Sequence, residues 1–105
     1  MSFATATFTA AGQSTLDNPN NPYVFPPGVV DIMGSDAGSF SGTVQLRRSF
    51  QKPDGSWTAY EVVDSWTDAD LPVTAEITYV PGTHFDLYCS ACAAGSANFS
   101  IGRGA

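Results

Sequence analysis

The alternation of side-chain types along residues 39–57 restricts the fold of this chain more than any other feature. Between residues 40 and 50, apolar side chains share one parity and polar side chains share the other. The apolar set is Phe40, Val44, Leu46 and Phe50, and the polar set is Thr43, Gln45, Arg47 and Ser49. A period of two is typical of a β-strand with one buried face. The sequence therefore predicts a strand over residues 40–50.

A turn follows this strand at residues 51–56. Pro53 fixes its own φ, Asp54 can accept hydrogen bonds from nearby backbone N–H groups, and Gly55 tolerates a positive φ. Trp57 then begins a second strand, which we expect to end near Trp66. The stretch is therefore predicted to form a β-hairpin of two neighbouring strands.

Further short strands are predicted at residues 3–10, 29–33, 74–80, 84–92 and 97–101, and Gly-rich turns are predicted at 34–38 and 93–96. No useful helical periodicity is present. The predicted fold is all-β: one antiparallel β-sandwich domain over residues 1–105, jelly-roll or immunoglobulin-like, with seven to eight short strands. The expected core consists of Phe8, Val44, Leu46, Ile77, Phe85, Leu87, Phe99 and Ile101.

Residues 16–28 interrupt this pattern with a segment rich in proline and asparagine. Proline cannot donate to a β-ladder, so a central strand is not expected there. We predict a loop or arm whose apolar residues Tyr23, Val24 and Phe25 contact a partner chain, because a small isolated domain offers them little surface to cover.

The charge content separates the possible classes of partner. Charged residues make up 13% of the 105 residues, and the formal net charge is −6, whereas globular proteins average about 25% charged residues. The acidic balance argues against sequence-independent nucleic-acid binding. No long apolar run predicts a transmembrane helix, and the N-terminal residues do not resemble a signal peptide. A surface with few charges is compatible with lasting burial against other protein chains.

Cys89 and Cys92 form the only CxxC pair. Residues three apart on a regular strand point to opposite faces, so we predict no disulfide, no metal site and two chemically quiet thiols, one of them buried. His84 is the only histidine, and no spacing supplies it with a catalytic partner. It is therefore interpreted as a polar residue that follows a tight turn. No cofactor is predicted.

Asp64, Asp68 and Asp70 cluster in one segment and leave calcium binding open. Their spacing lacks the D-x-D-x-D-G pattern, which favours a solvated acidic loop. Trp57, Tyr60 and Trp66 could bind a sugar, although large aromatic residues on strands are more often core or interface. No two carboxylates are singled out as an acid and base, so an enzyme is not predicted.

The adjacent residues Arg47 and Arg48 are expected on opposite faces of their strand. Arg48 has the inward parity, where its stem can lie on the core while its head reaches water. Arg47 has the outward parity, together with Gln45. On a surface with few charges, we interpret Arg47 and Gln45 as candidate partner-interface residues.

Four segments resemble a known group of proteins. They are FTAAGQST at residues 8–15, FSGTVQLRRSF at 40–50, DGSW at 54–57 and FDLYCSACAAGSANFSI at 85–101. In content and order they resemble small β-sandwich structural proteins of tailed phages and prophages, which include capsid decoration (cement) proteins. The turn containing Pro53 and the segment 16–28 depart from that pattern.

The resemblance implies a non-enzymatic virion protein, made in the host cytoplasm, that lies on the capsid exterior. Its expected partner is the major capsid protein, and a homotrimer is favoured by analogy with the family. The alternative function is a head-fibre or tail-associated module that recognises a host surface glycan through exposed aromatic residues.

Overall fold

The computed structural model describes residues 3–15, 28–79 and 83–103, and these are almost entirely antiparallel β-sheet. The strands are β1 (Phe3–Phe8), β2 (Gly28–Phe50), β3 (Glu61–Thr67), β4 (Val73–Tyr79) and β5 (Thr83–Arg103), with a short 3-10 turn at Asp68–Asp70. The all-β antiparallel prediction is confirmed. In the described ranges, no helix has the length and apolar character needed to cross a membrane.

Two pairs of predicted short strands are continuous in the structure. Residues 29–33 and 40–50 belong to β2, and residues 84–92 and 97–101 belong to β5. The prediction that turns at 34–38 and 93–96 end these strands is wrong. β2 and β5 stay paired through this region, with register shifts between Asp36 and Val44. Such β-bulges bend a strand without ending its ladder.

The bends in β2 and β5 divide the sheet into two layers. In the four-stranded layer, residues 28–36 of β2 lie between β4 and residues 97–103 of β5, which also pair with β1. In the three-stranded layer, residues 42–50 of β2 lie between β3 and residues 83–92 of β5. Trp66 of the second layer contacts Phe99 of the first, with ring centroids 6.3 Å apart. The layers therefore pack face to face as a sandwich.

Specific residues stabilise the bend. The Asp36 carboxylate accepts hydrogen bonds from the backbone N–H groups of Gly38 and Phe40, at 2.8 and 3.2 Å. A Cβ atom at Gly42 would overlap the Ala91 carbonyl oxygen. A Cβ atom at Gly95 would overlap the Gly38 carbonyl oxygen, and Gly95 also has a φ of +71°. The two strands therefore approach closely here because glycine has no side chain.

The core between the layers contains residues from both. Seven of the eight predicted core residues are buried, and Ile77 is half-buried against the cluster. The core also contains six buried residues beyond that predicted list, which are Val30, Ile32, Phe40, Trp66, Cys89 and Ala97. Because every layer contributes apolar side chains to one cluster, the described strands form one hydrophobic unit.

The predicted hairpin is confirmed, with a correction to its second strand. In the turn, the Lys52 N–H donates to the Ser56 carbonyl at 2.7 Å, and Gly55 has a φ of +89°. Hydrogen bonds from Ser56 lower the pKa of the exposed Asp54 carboxyl. β3 begins at Glu61 and not at Trp57. Residues 57–60, apart from a bridge between Trp57 and Gln51, therefore lie outside the ladder.

The predicted arm falls mainly on residues 16–27, which lie outside the described residues, as do its candidate interface residues Tyr23, Val24 and Phe25. Their contact with a partner stays a prediction. Gly28, the last residue assigned to the arm from the sequence, is the first residue of β2.

Candidate functional site

A cluster of aromatic and charged side chains lies on the outer face of the three-stranded layer. The register places Arg47 beside Asp86, with Ser49 beside His84 and Gln45 beside Tyr88 as the flanking pairs. Trp57 and Tyr60 reach the same face from the segment that precedes β3. We call this cluster the arginine–tyrosine patch; it consists of Arg47, Trp57, Tyr60, His84, Asp86 and Tyr88.

The centre of the patch is a buried ion pair. Arg47 Nε and Nη2 donate to the two carboxylate oxygens of Asp86 at 3.1 and 2.7 Å. Asp86 is fully buried, whereas the Arg47 side chain is 20% exposed. The guanidinium also lies 4.5 Å from the ring centroid of Tyr60 and 4.0 Å from that of Tyr88. A two-point hydrogen bond and two stacked rings hold the cation in one orientation.

His84 lies beneath the aromatic residues of the patch and is only 2% exposed. Its Nδ1 is 3.1 Å from the Tyr60 hydroxyl, and its ring meets the Trp57 ring at a centroid distance of 5.8 Å. Burial lowers the pKa of His84 below its usual range, although the nearby Asp86 carboxylate acts in the opposite direction. His84 is therefore neutral near pH 7 and supports the aromatic residues above it.

The two arginines lie on opposite faces, as predicted. Arg48 has its inward parity at the strand end, where its guanidinium lies 5.2 Å from the Phe50 ring centroid and pairs with the exposed Glu61 carboxylate. Arg47 binds a carboxylate of its own chain, and Gln45 is half-buried beside it. The prediction that Gln45 and Arg47 contact a partner stays a prediction.

The cysteine pair departs from the predicted geometry. Ser90 is an extra residue in β5, since Val44 pairs with Cys89 and the neighbouring Thr43 pairs with Ala91. This bulge shifts the alternation by one residue, so Ala91 is exposed while Cys89 and Cys92 both pack on the core. The prediction that the two cysteines face opposite sides is therefore wrong. The prediction of one buried thiol and one exposed or half-buried thiol is confirmed, since Cys89 is buried and Cys92 is half-buried.

The separation of Cys89 and Cys92 along the strand still opposes a disulfide. A strand rises about 3.3 Å per residue, so three residues span more than the roughly 7 Å between Cα atoms that a disulfide can bridge. The Cys89 thiol donates to the Ala91 carbonyl at 3.4 Å. Burial, and then the neighbouring Cys92, raise the pKa of Cys89, which lowers its reactivity at neutral pH.

The clustered aspartates act mainly as acceptors for backbone N–H groups. Asp70 accepts from the Thr67 N–H at 2.9 Å, Asp64 from the Ser65 N–H at 2.8 Å, and Asp68 from the Gly42 N–H at 3.4 Å. Among the residues that the structure describes, no three His, Cys, Asp or Glu side chains converge as metal ligands. The arrangement favours turn stabilisation over a calcium site.

A second surface lies on the outer face of the four-stranded layer. It is a groove of about 710 Å³, which we call the outer groove. Its lining side chains come from all four strands and from the segment before β4, and they include Thr5, Thr7, Met33, Ser35, Pro72, Thr74, Asn98 and Ser100. None of the described residues that line it is ionisable. Asp31 and Glu76 pair beside the groove on the same outer face, so the lack of charge is a property of the described groove lining and not of the whole face.

Sequence reasoning identified Arg47 but missed Asp86 and Tyr88. Both have the outward parity of β5, yet Asp86 is fully buried. The alternation His84–Asp86–Tyr88 was a signal that three polar or aromatic residues share one face. The position of that face beside Arg47 depends on pairing between distant strands.

Comparisons with known proteins identified no family. No family model and no curated protein matches the chain. Nine chains of solved structures match. One is a mitogen from Yersinia pseudotuberculosis, with 17% identity, coverage of 94% of this chain and 81% of that chain, and a TM-score of 0.42. Another is a xylan-binding domain from Paenibacillus barcinonensis, with 21% identity, coverage of 92% and 69%, and a TM-score of 0.40. Likenesses at these values carry no argument about function.

Proposed function

We propose that this chain is a non-enzymatic structural protein of a tailed-phage particle. In this role it decorates the capsid exterior and stabilises the shell by binding the major capsid protein. The motif resemblance at residues 8–15, 40–50, 54–57 and 85–101 supports the phage assignment. The low charge content supports a surface adapted to protein contact.

The arginine–tyrosine patch is the observation that carries the docking proposal. Tyrosine, tryptophan and arginine are the residue types that contribute most to binding energy at protein interfaces. Here the Arg47 head is already fixed by Asp86, Tyr60 and Tyr88. A partner therefore need not order that side chain on binding, which lowers the entropic cost of association.

Val62 extends the patch toward the sheet edge. It is 51% exposed and pairs with Arg47 in the register of β2 and β3. Tyr60, which is 38% exposed, lies in the segment just before β3. Together they provide an apolar border to the fixed cation, an arrangement suited to a partner that offers apolar side chains around a carbonyl or carboxylate.

The docking test is a pair of matched substitutions on opposite faces. Val62→Asp adds a charge to the edge of the arginine–tyrosine patch, and Met33→Asp adds the same charge to the outer groove, where Met33 is 58% exposed. Both side chains are exposed, so both variants are expected to fold. Each variant is added to particles that lack the native protein, and its copy number per particle is measured.

We expect Val62→Asp to lose at least about tenfold in affinity for the particle, since burying an unpaired charge costs more than 1.4 kcal/mol. Met33→Asp is expected to bind at the native level. Equal binding of both variants would overturn docking through the patch. Failure of the native protein to bind any tailed-phage shell, despite a folded chain, would overturn the virion assignment itself.

The homotrimer, and capsid contact by Tyr23, Val24 and Phe25 of the arm, belong to this proposal. Sedimentation of the free protein tests the trimer. Deletion of residues 17–27 tests the arm: we expect weaker attachment to the shell and little change in the described strands, because no described strand includes those residues. Native occupancy of the deletion variant would exclude the arm from the interface.

The alternative function, recognition of a host glycan through exposed aromatics, loses one of its candidate residues. Trp66 is 7% exposed and belongs to the core. Tyr60 stacks on Arg47, and Trp57 lies against His84. Of the three aromatics, Trp57 and Tyr60 could still contact a sugar, but Trp57 already contacts His84, and Tyr60 contacts both Arg47 and His84.

A further inference from the structure

The outer groove places hydrogen-bonding side chains in two rows across neighbouring strands. One row is Thr7, Asn98 and Ser35, and the other is Thr5, Ser100, Met33 and Thr74. Neighbouring strands lie about 4.8 Å apart, so the first row presents polar groups at regular intervals, whereas Met33 interrupts the polar groups of the second row. The rows follow from the register, because the outward positions of four strands coincide.

Asn98 is oriented by a contact within the groove. The Thr7 hydroxyl donates to Asn98 Oδ1 at 2.8 Å. The amide nitrogen of Asn98 therefore faces away from Thr7 and keeps its two N–H donors. The hydroxyl groups of the serines and threonines can donate or accept. The described side chains that line the groove therefore offer both hydrogen-bond donors and acceptors, and none of them carries a formal charge.

Met33 adds an apolar contact surface among these polar groups. Its side chain is 58% exposed and lies between Ser100 and Thr74 in the register. Pro72 and Val73 add apolar surface at the β4 side. A ligand that fits has hydroxyl groups along its edges and an apolar C–H face, and it carries no charge. This combination is characteristic of sugar rings.

We propose that the outer groove binds a neutral saccharide chain. Its volume of about 710 Å³ lies within the roughly 300–1,000 Å³ of small-molecule sites. An anionic saccharide is disfavoured because the described groove lining contains no cation and the carboxylates of Asp31 and Glu76 lie beside it, and a cationic saccharide is disfavoured because no described lining residue is acidic. An extended peptide is disfavoured because peptides bind sheets mainly at edges, where backbone groups are free. Here the backbone groups of the central strands are used within the sheet.

This inference is independent of docking through the arginine–tyrosine patch, which lies on the other layer. The probes are four neutral trisaccharides: xylotriose, cellotriose, maltotriose and chitotriose. Each is titrated into the isotope-labelled full chain, and amide chemical shifts report where it binds. We expect at least one to bind with a Kd on the order of 1 mM or tighter, with the largest shifts at residues 33–35, 72–74 and 98–100.

Variants then test the groove by its chemistry. Asn98→Ala removes the oriented amide and Met33→Asp removes the apolar floor; each should weaken binding of that trisaccharide by at least about fivefold. Val62→Asp is the matched control on the other layer and should leave the Kd unchanged. The amide spectrum of each variant without ligand establishes that it is folded.

Three results would overturn the proposal. One is the absence of shifts with all four trisaccharides up to about tenfold above the expected Kd. Another is binding whose shifts map to Trp57 and Tyr60, which would place a glycan site on the arginine–tyrosine patch. The third is binding of an uncharged Ser/Thr-rich peptide in the groove when no trisaccharide binds, which would make the groove a peptide site.

Discussion

Both outer faces of this sandwich include residues of β2 and β5, yet the candidate sites on the two faces have different chemistry. On the three-stranded layer, the outward residues of β2 and β5 include Arg47 and Asp86, which bind each other beneath stacked tyrosines. In the outer groove of the four-stranded layer, the same strands contribute Met33, Ser35, Asn98 and Ser100. None of the described lining residues is ionisable, although Asp31 of β2 lies beside the groove on the same face. The architecture therefore sets which residues share a face, while the residue types decide what each face can bind.

The two sites also differ in whether their polar groups already have hydrogen-bond partners within the chain. The polar groups of the arginine–tyrosine patch mostly form hydrogen bonds and ion pairs with one another. The patch therefore offers a partner a rigid surface with exposed apolar borders. In the outer groove, Thr7 and Asn98 share one hydrogen bond and the amide donors remain for a ligand. Substitutions in the patch should therefore affect stability, and substitutions in the groove should affect ligand binding.

The largest expected loss of stability, measured as the free energy of unfolding, is that of Asp86→Ala. It removes the buried carboxylate and leaves the mostly buried Arg47 cation without its partner, a change that costs about 3–5 kcal/mol. The control is Glu61→Ala, which breaks the exposed pair with Arg48 and should cost less than about 1 kcal/mol. Urea unfolding of both variants measures the difference; similar losses would show that the patch is not a buried network.

Core substitutions test whether the two layers share one cooperative unit. Leu87→Ala lies in the three-stranded layer and Ile32→Ala in the four-stranded layer, and both side chains are buried. Each should cost about 2–5 kcal/mol, and Leu46→Ala should behave similarly. We expect every variant to unfold in one transition by both fluorescence and circular dichroism. Two separate transitions would mean that the layers unfold independently.

The pH dependence of stability should depend on the patch. Because burial lowers the pKa of folded His84, the unfolded chain binds its proton first, near the usual histidine pKa of about 6.5. Stability is therefore complete above about pH 6.5 and falls as the pH decreases below it. The facing Asp86 carboxylate reduces this loss. Urea midpoints of the native chain at about pH 7.5 and 5.5 should differ more than those of His84→Gln; equal differences would exclude His84 as the cause.

The smallest expected effect is a difference between the modification rates of the two thiols near the bend. Cys92 is half-buried and Cys89 is buried with a raised pKa. A thiol reagent should therefore modify Cys92 of the folded chain first and Cys89 far more slowly. The unfolded chain, prepared without reductant, should yield two free thiols. A mass lower by two hydrogens and no reactive thiol would contradict the distance argument against a disulfide.

Local pattern was sufficient to predict much of the fold. Alternation predicted that Val44 and Leu46 lie in the core, and the residue types of the turn predicted the positive φ at Gly55, because both features depend on neighbours in the sequence. The bulge at Ser90, which reverses the facing of Cys92, depends on how β5 pairs with β2. Residue type at Ser90 gives no sign of an extra residue in the ladder.

The candidate sites were harder to predict for the same reason. Arg47 was recognised as outward-facing, but its partner Asp86 lies on a strand far along the chain. The outer groove requires the register of four strands, and its residues are common surface types such as Thr7 and Ser35. Of the three aromatic residues that could bind a sugar, Trp66 is part of the core.

The continuity of β2 and β5 through the bend also predicts the order in which the two layers fold. Their pairing begins at Phe50 and Thr83, which close a shorter loop than Val30 and Arg103 at the far end. Shorter loops close with less loss of chain entropy. We therefore expect folding to start at the three-stranded layer and to pass through the bend to the four-stranded layer. In pulse-labelled hydrogen exchange, amides of residues 84–89 should then gain protection before those of residues 98–102.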